Sequence, residues 1–367
     1  MRVLQILHDR ERGGVEKLAA MIEAGLSPHG VTFDTAYLYP GLGLSIVAKM
    51  SCVLAMALRL WRGDYDALIA YQSTASILVG IVGWCRGCRW RIVHQTCTPG
   101  ETPRLLRMLD MIAGTLGLYG ANVVNSAATW SEFARYPARY RRSVVLIEHG
   151  LDVPAVGRTP DLTRRHFALP PQRPIILNVG RLAEQKNQDV LIRALTCLPD
   201  VHLAIAGGGL ELDSFRDLAT TLGVDDRLHM LGALSADDIA DLYAAADLFV
   251  FPSTWETFGL AAVEAAMIGM PMVVSDLPVL REVLRAGGAE PVTFVPPDDV
   301  EGWISAIAAA LARAPAPALL SAFAQTMRRK YSRQRMIESY LSLFDAHRRS
   351  ERADLRGLQP AAEKARP

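Results

Sequence analysis

The chain has 367 residues, a formal net charge of +1, 50% hydrophobic residues and 21% charged ones. That length is long for one hydrophobic core, so two domains are expected, and the balanced charge gives no general reason to expect a nucleic-acid partner. Five cysteines, unevenly spaced, are too few for a disulfide framework.

Met1-Arg2 leads straight into a short strand, so no signal peptide is read. Strands follow at Val3 to Leu7, Thr32 to Leu38, Ala67 to Tyr71, Arg91 to His94 and Asn122 to Asn125. Between them, helical patterns run over Val15 to Leu26, Leu44 to Trp61, Ile77 to Trp84 and Leu105 to Leu118. The stretch Leu44 to Trp61 is the longest apolar one, but it carries Lys49 and Arg59 and reads as an amphipathic or buried helix rather than a span. A cytoplasmic protein is expected, with peripheral contact at the cytoplasmic membrane face left open.

The pattern restarts after a proline- and arginine-rich stretch. Strands are read at Ile175 to Val179, His202 to Ala206, Leu228 to Leu231, Leu248 to Phe251 and Met272 to Val274. Helices are read at Gln188 to Leu195, Leu210 to Leu222, Ala236 to Ala245 and Leu260 to Ile268, and a last amphipathic one over Arg333 to His347. Alternating strands and helices imply right-handed crossovers and parallel sheets covered on both faces. The expectation is an α/β chain of two doubly wound, Rossmann-like domains: residues 1–153, a linker 154–172, and 173–330. A helix over 331–348 is expected to pack back on the first domain, and 349–367 to be a disordered tail. Ligands of such sheets bind beyond the carboxyl ends of the strands, so the ligand cleft is expected between the domains.

The most informative run is FPSTWETFGLAAVEAAMIGMP, in which Glu256 and Glu264 stand eight positions apart. A wholly helical segment of that length would advance ~12 Å, about the separation of a hexose and a ribose across a diphosphate. A helix start lies between the two acids and favours a phosphate. The plainer reading is a surface glutamate plus a mid-helix glutamate in a salt bridge. Against it, Ala261, Ala262, Val263, Ala265, Ala266 and Met267 leave Glu264 no polar face, so a buried carboxylate in need of donors is expected.

Other candidates are weaker alone. Gly13-Gly14 opens the first helix, but neither it nor AGGGLE (Ala206 to Glu211) gives the dinucleotide fingerprint. Arg181 and Lys186 flank a short loop after a strand, as two solvated charges or as a grip on a diphosphate. Asp64-Tyr65-Asp66 could suggest a metal, yet it sits at a turn where aspartates cap. Cys85, Cys88, His94 and Cys97 have a zinc-like spacing, but a strand at ~3.3 Å per residue carries His94 roughly 20 Å from Cys88. No metal is expected.

Taken together, RGGVEKL, VHQT, NVGRLAEQKN, IAGGGLE, HMLG and LYAAADLFVFPSTWETFGLAAVEAAMIGMPMVVSD resemble family 4 of the retaining GT-B glycosyltransferases. The resemblance spans most of the chain and is strongest from Ile176 to Val283. It implies transfer of a hexose from a nucleoside-diphosphate sugar, UDP- or GDP-linked, to a hydroxyl of a glycan or lipid-linked saccharide. Anomeric configuration would be retained, with no metal or other cofactor, in surface polysaccharide or glycoconjugate synthesis. Arg181 and Lys186 would hold the diphosphate, Gly14 would bring its amide to it from the other domain, and Glu264 would accept the ribose hydroxyls. Glu256, with the amides of Phe258, Gly259 and Leu260, would hold the sugar, and His94 would bond its distal hydroxyl.

Two departures stand out: His149-Gly150-Leu151-Asp152 where the family often has Asn-Gly-x-Asp, and His94-Gln95 where it often has His-Asp. Both leave the phosphate and ribose contacts intact and bear on the identity of the transferred sugar. Lys49, Arg59, Arg104, Arg107, Arg139, Arg141 and Arg142 on the acceptor-side domain raise contact with an anionic membrane, against an ordinary solvated surface. A nucleotide-sugar epimerase or hydrolase of the same architecture, or a catalytically silent nucleotide-binding subunit, are the alternatives. A nicotinamide oxidoreductase fits worst, because the glycine fingerprint and its ribose-binding acid are missing.

Overall fold

The computed structural model describes residues 1–8, 14–41 and 43–348. The expected tail, 349–367, lies outside the described residues, and so do residues 9–13. Two compact units are present: Met1–Gly150 with the segment from Arg333 onward, and Leu151–Ser332.

The first unit begins β1 (Arg2–Leu7), α1 (Gly14–Leu26), β2 (Thr32–Tyr37), α2 (Ile46–Arg62), β3 (Ala67–Tyr71) and α3 (Ser73–Cys85). It continues β4 (Trp90–His94), α4 (Arg104–Thr115), β5 (Ala121–Val124), α5 (Ala127–Glu132), α6 (Ala138–Arg141) and β6 (Val144–Leu146). Its strands lie in the order β2-β1-β3-β4-β5-β6, each pair parallel. Every residue of β3 and β4 is buried, as a parallel sheet covered on both faces requires. Three elements here are missing from the sequence reading. β6 has only three residues, and α5 and α6 are too short to show a 3.6-residue period.

The second unit opens with α7 (Pro160–His166), β7 (Ile175–Val179), α8 (Gln188–Ala194), β8 (His202–Ala206), α9 (Leu212–Leu222), β9 (Leu228–Gly232) and α10 (Ala236–Ala245). Then come β10 (Leu248–Phe251), α11 (Leu260–Ile268), β11 (Met272–Ser275), α12 (Pro278–Val283), β12 (Val292–Val295), α13 (Val300–Ala312) and α14 (Pro317–Lys330). The stretch 154–172, read from sequence as a linker, therefore carries α7, which Thr159 caps by accepting from the Leu162 amide. Arg164 fastens this helix to the body of the unit, donating to the Ala245 carbonyl at 3.0 Å and pairing with Asp247 at 3.0 Å. The proline pair in APAPA separates α13 from α14, with Pro317 in the first turn of the second helix, where its missing N–H costs nothing. The last helix, α15 (Arg333–Arg348), packs on α1 in the first unit. Gly25 leaves the notch that Ile337 fills, since a Cβ there would lie 2.3 Å from the Ile337 side chain.

The second sheet runs β12-β11-β10-β7-β8-β9. From β7 the chain adds β8 and β9 on one side, then returns to add β10, β11 and β12 on the other. β7 and β10 pair in parallel, so the loops that leave their carboxyl ends start side by side at the switch of direction, where open α/β sheets bind ligands. A third loop is pressed against the first of these. Gly180 N–H donates to the Ala206 carbonyl at 3.0 Å and Leu182 N–H to the Gly208 carbonyl at 2.9 Å. A Cβ on Gly207 would sit 1.8 Å from the Gly180 carbonyl oxygen, and one on Gly209 2.2 Å from that of Leu182.

Backbone cannot yield as a flexible side chain does, so Gly207→Ala should lower stability by about 2 kcal/mol or more. Gly208→Ala, whose nearest neighbour would be at 3.8 Å, should stay within about 0.5 kcal/mol of the parent. Denaturant midpoints of the two variants compare them directly.

Candidate functional site

The loop after β7 carries Arg181, then a 3-10 turn over Glu184–Lys186, then Asn187 in the left-handed region (φ 53°, ψ 33°) at the start of α8. Asparagine tolerates that conformation better than most residues. Here its side chain also donates to the Pro252 carbonyl at 3.1 Å and the Pro297 carbonyl at 2.8 Å, tying three loops together. Gln185 Nε2 donates to the Trp255 carbonyl at 2.9 Å, and Thr254 N–H returns a bond to the Gln185 carbonyl at 2.9 Å. These bonds lock the loops after β7 and β10 in one register.

That register brings Lys186 Nζ onto Glu256 Oε1 in an ion pair, with the two side chains 15% and 9% exposed. The ammonium also lies 5.0 Å from the centre of the Phe251 ring. Withdrawing two charges from water costs more than an isolated pair returns in stability, so this pair is better read as a device for holding two groups in place. Arg181 is exposed. Among the described residues its guanidinium makes no ion pair, while its backbone carbonyl is fixed by Gln188 Nε2 at 2.8 Å. The two cations therefore differ: one is committed to Glu256, the other open to solvent.

Beyond Glu256 the chain turns through Gly259, at φ 87° and ψ 57°, to start α11 without a side-chain cap. Glycine is required twice over, by its dihedral and because a Cβ would lie 2.8 Å from Leu280 Cδ2. The first amides of α11, from Leu260 on, have no carbonyl partner inside the helix. Phe258 turns its ring inward, edge-on to Tyr331 at 5.1 Å. Glu256 comes from a loop and Glu264 from the helix, so the eight-residue spacing is not a helical advance.

Glu264 is half-buried rather than buried. Tyr243 Oη, from the buried face of α10, donates to its Oε2 at 3.2 Å. Burial, followed by the Glu264 charge, pushes the Tyr243 phenol well above its ordinary range, so it remains a donor. Sequence reasoning missed Tyr243; the one available signal was a hydroxyl-bearing side chain among the apolar residues of LYAAAD.

The remaining candidates belong to the first unit. Gly14 is the exposed first residue of α1; Gly13 lies outside the described residues. His94 ends β4 and is 3% exposed. Its ring is stacked near Tyr71, with centroids 4.7 Å apart, and near Tyr340 of α15, at 5.9 Å. Burial, with a smaller push from His149, lowers its pKa to about 3, and burial lowers His149 to about 4. His94 Nε2 is buried with no hydrogen-bond partner among the described residues. The expected contact with a sugar hydroxyl is thus not presented at the surface; an imidazole held neutral between two tyrosines stands in its place.

Gln95, the departure beside it, points into the unit. Its Nε2 lies 3.2 Å from Tyr140 Oη and 3.5 Å from Asp110 Oδ1. Asp110 also accepts from Tyr140 at 2.6 Å and Tyr119 at 2.9 Å. Asp66 Oδ2 accepts from the Arg2 amide at 2.7 Å, at the amino-terminal edge of the sheet, so Asp64-Tyr65-Asp66 closes a turn far from the strands' carboxyl ends. Among the described residues no group of three or more His, Cys, Asp or Glu is arranged to hold a metal.

The model of the family described as glycosyl transferases group 1 matches residues 161–327. The D-inositol 3-phosphate glycosyltransferase of Mycolicibacterium smegmatis is 31% identical over 323 residues, covering 83% of this chain and 72% of the relative. The enzyme of the same name from Salinispora tropica is 30% identical over 320 residues, covering 77% of this chain and 64% of that one. Among solved structures, a sucrose-phosphate synthase from Thermosynechococcus elongatus superposes with a TM-score of 0.81 at 19% identity, over 95% of this chain and all of the other. HepE from Anabaena, in complex with UDP and glucose, gives 0.78 at 18% identity, over 94% of this chain and 100% of that chain.

A histidine kept neutral by folding binds fewer protons than the unfolded chain between pH 6.5 and about 3. Stability should therefore fall as the pH drops through that window. His94→Phe, which keeps an aromatic ring between the tyrosines, should show a smaller loss of Tm between pH 7 and pH 5 than the parent. Equal losses in thermal scans would mean that His94 is not held neutral.

Proposed function

The chain belongs to the group 1 glycosyltransferases and has the GT-B architecture of two Rossmann-like domains, and from that premise we propose that it moves a hexose from a nucleoside-diphosphate sugar to a hydroxyl of a glycan or lipid-linked saccharide. Configuration at the anomeric carbon is retained, and no metal takes part. The observation that carries this reading is the Lys186–Glu256 pair, set between exposed Arg181 and the uncapped start of α11.

In this reading Arg181 and Lys186 hold the diphosphate and stabilise the negative charge that grows on it as the glycosidic bond breaks. Glu256 has a second oxygen for sugar hydroxyls, joined by the amides of Phe258, Gly259 and Leu260. Glu264, steadied by Tyr243, accepts the two ribose hydroxyls. Gly14 gives its amide to the phosphates. The bond to the leaving phosphate lengthens first, giving an oxocarbenium-like sugar. The departing phosphate oxygen takes the proton of the acceptor hydroxyl, which attacks on the same face. No side chain serves as nucleophile. The relatives named for D-inositol 3-phosphate favour a second reading of the acceptor, a small phosphorylated polyol in place of a glycan, and HepE with UDP and glucose supports a UDP-linked hexose donor.

The first test is a thermal-shift screen against UDP, GDP and their hexose conjugates, in which the true donor raises Tm by linkage; no response to any of them overturns the reading. Arg181→Ala and Lys186→Ala should each lower kcat/KM by about 100-fold or more, whereas Glu264→Ala should act mainly on the donor KM. Glu256→Gln should cut turnover without trapping a sugar on the protein. A glycosyl adduct on Glu256 in the parent, found by mass spectrometry, would replace the same-face route with a covalent one.

A further inference from the structure

Among the described residues, the exposed large apolar side chains are not scattered. The second unit contributes only Val153, Val156, Leu162 and Leu210; the rest stand on or at the ends of three helices of the first unit. On α2 an outward stripe runs through Val47, Met50, Leu54, Leu58 and Trp61, with Val47 73% exposed and Leu54 63%. These positions recur every three or four residues, the period of one helix face. The neighbouring α3 adds Ile81 and Trp84, and α4 continues with Leu105, Met108, Ile112 and Leu116. The three helices pack side by side, α2 on α3 and α3 on α4, so the stripes form one broad face. A soluble monomer rarely leaves so much apolar surface in one place.

The exposed cations that flank the two stripes are Arg62, one turn beyond Leu58, and Arg104, one turn before Met108. α2 carries Lys49, Arg59 and Arg62 and no acid at all. α4 carries Arg104 and Arg107, and its only acid, Asp110, is turned inward onto Tyr119 and Tyr140. Ordinary surface helices mix both signs; these two present cations beside the apolar stripes to whatever covers them. Beside α4, a groove of about 630 Å³ is lined by Arg104, Arg107, Met108, Met111, Glu132 and Arg135 among others; with an acid among its cations it is a mixed-charge groove and not part of the cationic face. No single described helix is long and apolar enough to cross a membrane. Helices of this kind lie in the headgroup layer, apolar face down and basic side chains against lipid phosphates.

We propose that the α2–α3–α4 face of the first unit docks on an anionic phospholipid bilayer, with Leu54, Trp61, Trp84 and Leu105 entering the acyl boundary. Arg62 and Arg104, exposed beside the two stripes, engage the headgroup phosphates. This deepens the lipid-linked acceptor of the functional reading and rests on that reading only for its purpose: the surface binds lipid whether or not the chain transfers sugar. A protein partner would have to match apolar and cationic character together across three helices. A bilayer of anionic lipid supplies both at once.

The test is flotation of the full chain with vesicles of phosphatidylcholine alone or with about one-third phosphatidylglycerol, at low and high salt. The chain should float with the anionic vesicles, and high salt should weaken this without abolishing it, because the apolar part is insensitive to screening. Leu54→Glu with Leu105→Glu should abolish flotation. Each of Arg62→Glu and Arg104→Glu should lower the partition constant roughly fivefold or more. Donor hydrolysis by these variants in vesicle-free solution should match the parent, so loss of docking and loss of catalysis are read separately. No flotation of the parent at low salt overturns the proposal, as does flotation that survives Leu54→Glu with Leu105→Glu. A concentration-dependent dimer in sedimentation, abolished by the same two substitutions, also overturns it by giving the face to a second copy.

Discussion

The contact between Lys186 and Glu256 is the constraint around which the second unit is arranged. Neither side chain reaches the other unless the loops after β7 and β10 are adjacent. They are adjacent only because the sheet reverses direction between those strands. A largely desolvated ion pair is a poor source of stability. The surrounding bonds of Gln185, Asn187 and Thr254 therefore matter more than the pair itself, since they fix both loops before any ligand arrives. In the proposed reaction, a lysine already placed and partly dehydrated needs little reorganisation to meet a phosphate, which is the condition for effective electrostatic stabilisation of a leaving group.

The two units use one architecture for opposite ends. In the second, loop is tied to loop by backbone-directed hydrogen bonds and by glycines that permit carbonyl-to-glycine contact, as at Gly207 and Gly209. In the first, polar side chains such as Asp110, Tyr119 and Tyr140 close on one another inside. Large apolar residues on α2, α3 and α4 face outward. A rigid grip is what the proposed diphosphate donor requires, and an exposed apolar face is what the proposed docking on a bilayer requires.

His94 joins sequence motif to tertiary setting in a way that neither shows alone. Its place at the end of β4 follows from the apolar run WRIV before it. Its chemistry follows from Tyr71 in the neighbouring strand and Tyr340, which arrives from α15 nearly 250 positions later in the chain. The two rings exclude water, and exclusion of water is what keeps the imidazole neutral.

What the sequence determined by itself is local. Apolar runs of four to six residues alternating with helical periods gave both parallel sheets, because strand and helix periodicities are properties of neighbouring residues. The short pieces α5, α6, α7, α12, β6 and β12 escaped because they span too few residues to establish a period, and the longer α13 and α14 were missed as well. The run from Phe251 to Pro271 named its own turn glycine and helix, since Gly259 and Gly269 both sit in the left-handed region that favours glycine. Only the tertiary structure decided which charges meet. Lys186 and Glu256 are seventy residues apart, Tyr243 and Glu264 belong to different helices, and the exposed stripes of α2 and α4 resemble buried ones until the core is seen to lie on their other side. Pairing, burial and exposure depend on elements distant in the chain, and periodicity carries no information about which distant element will be the neighbour.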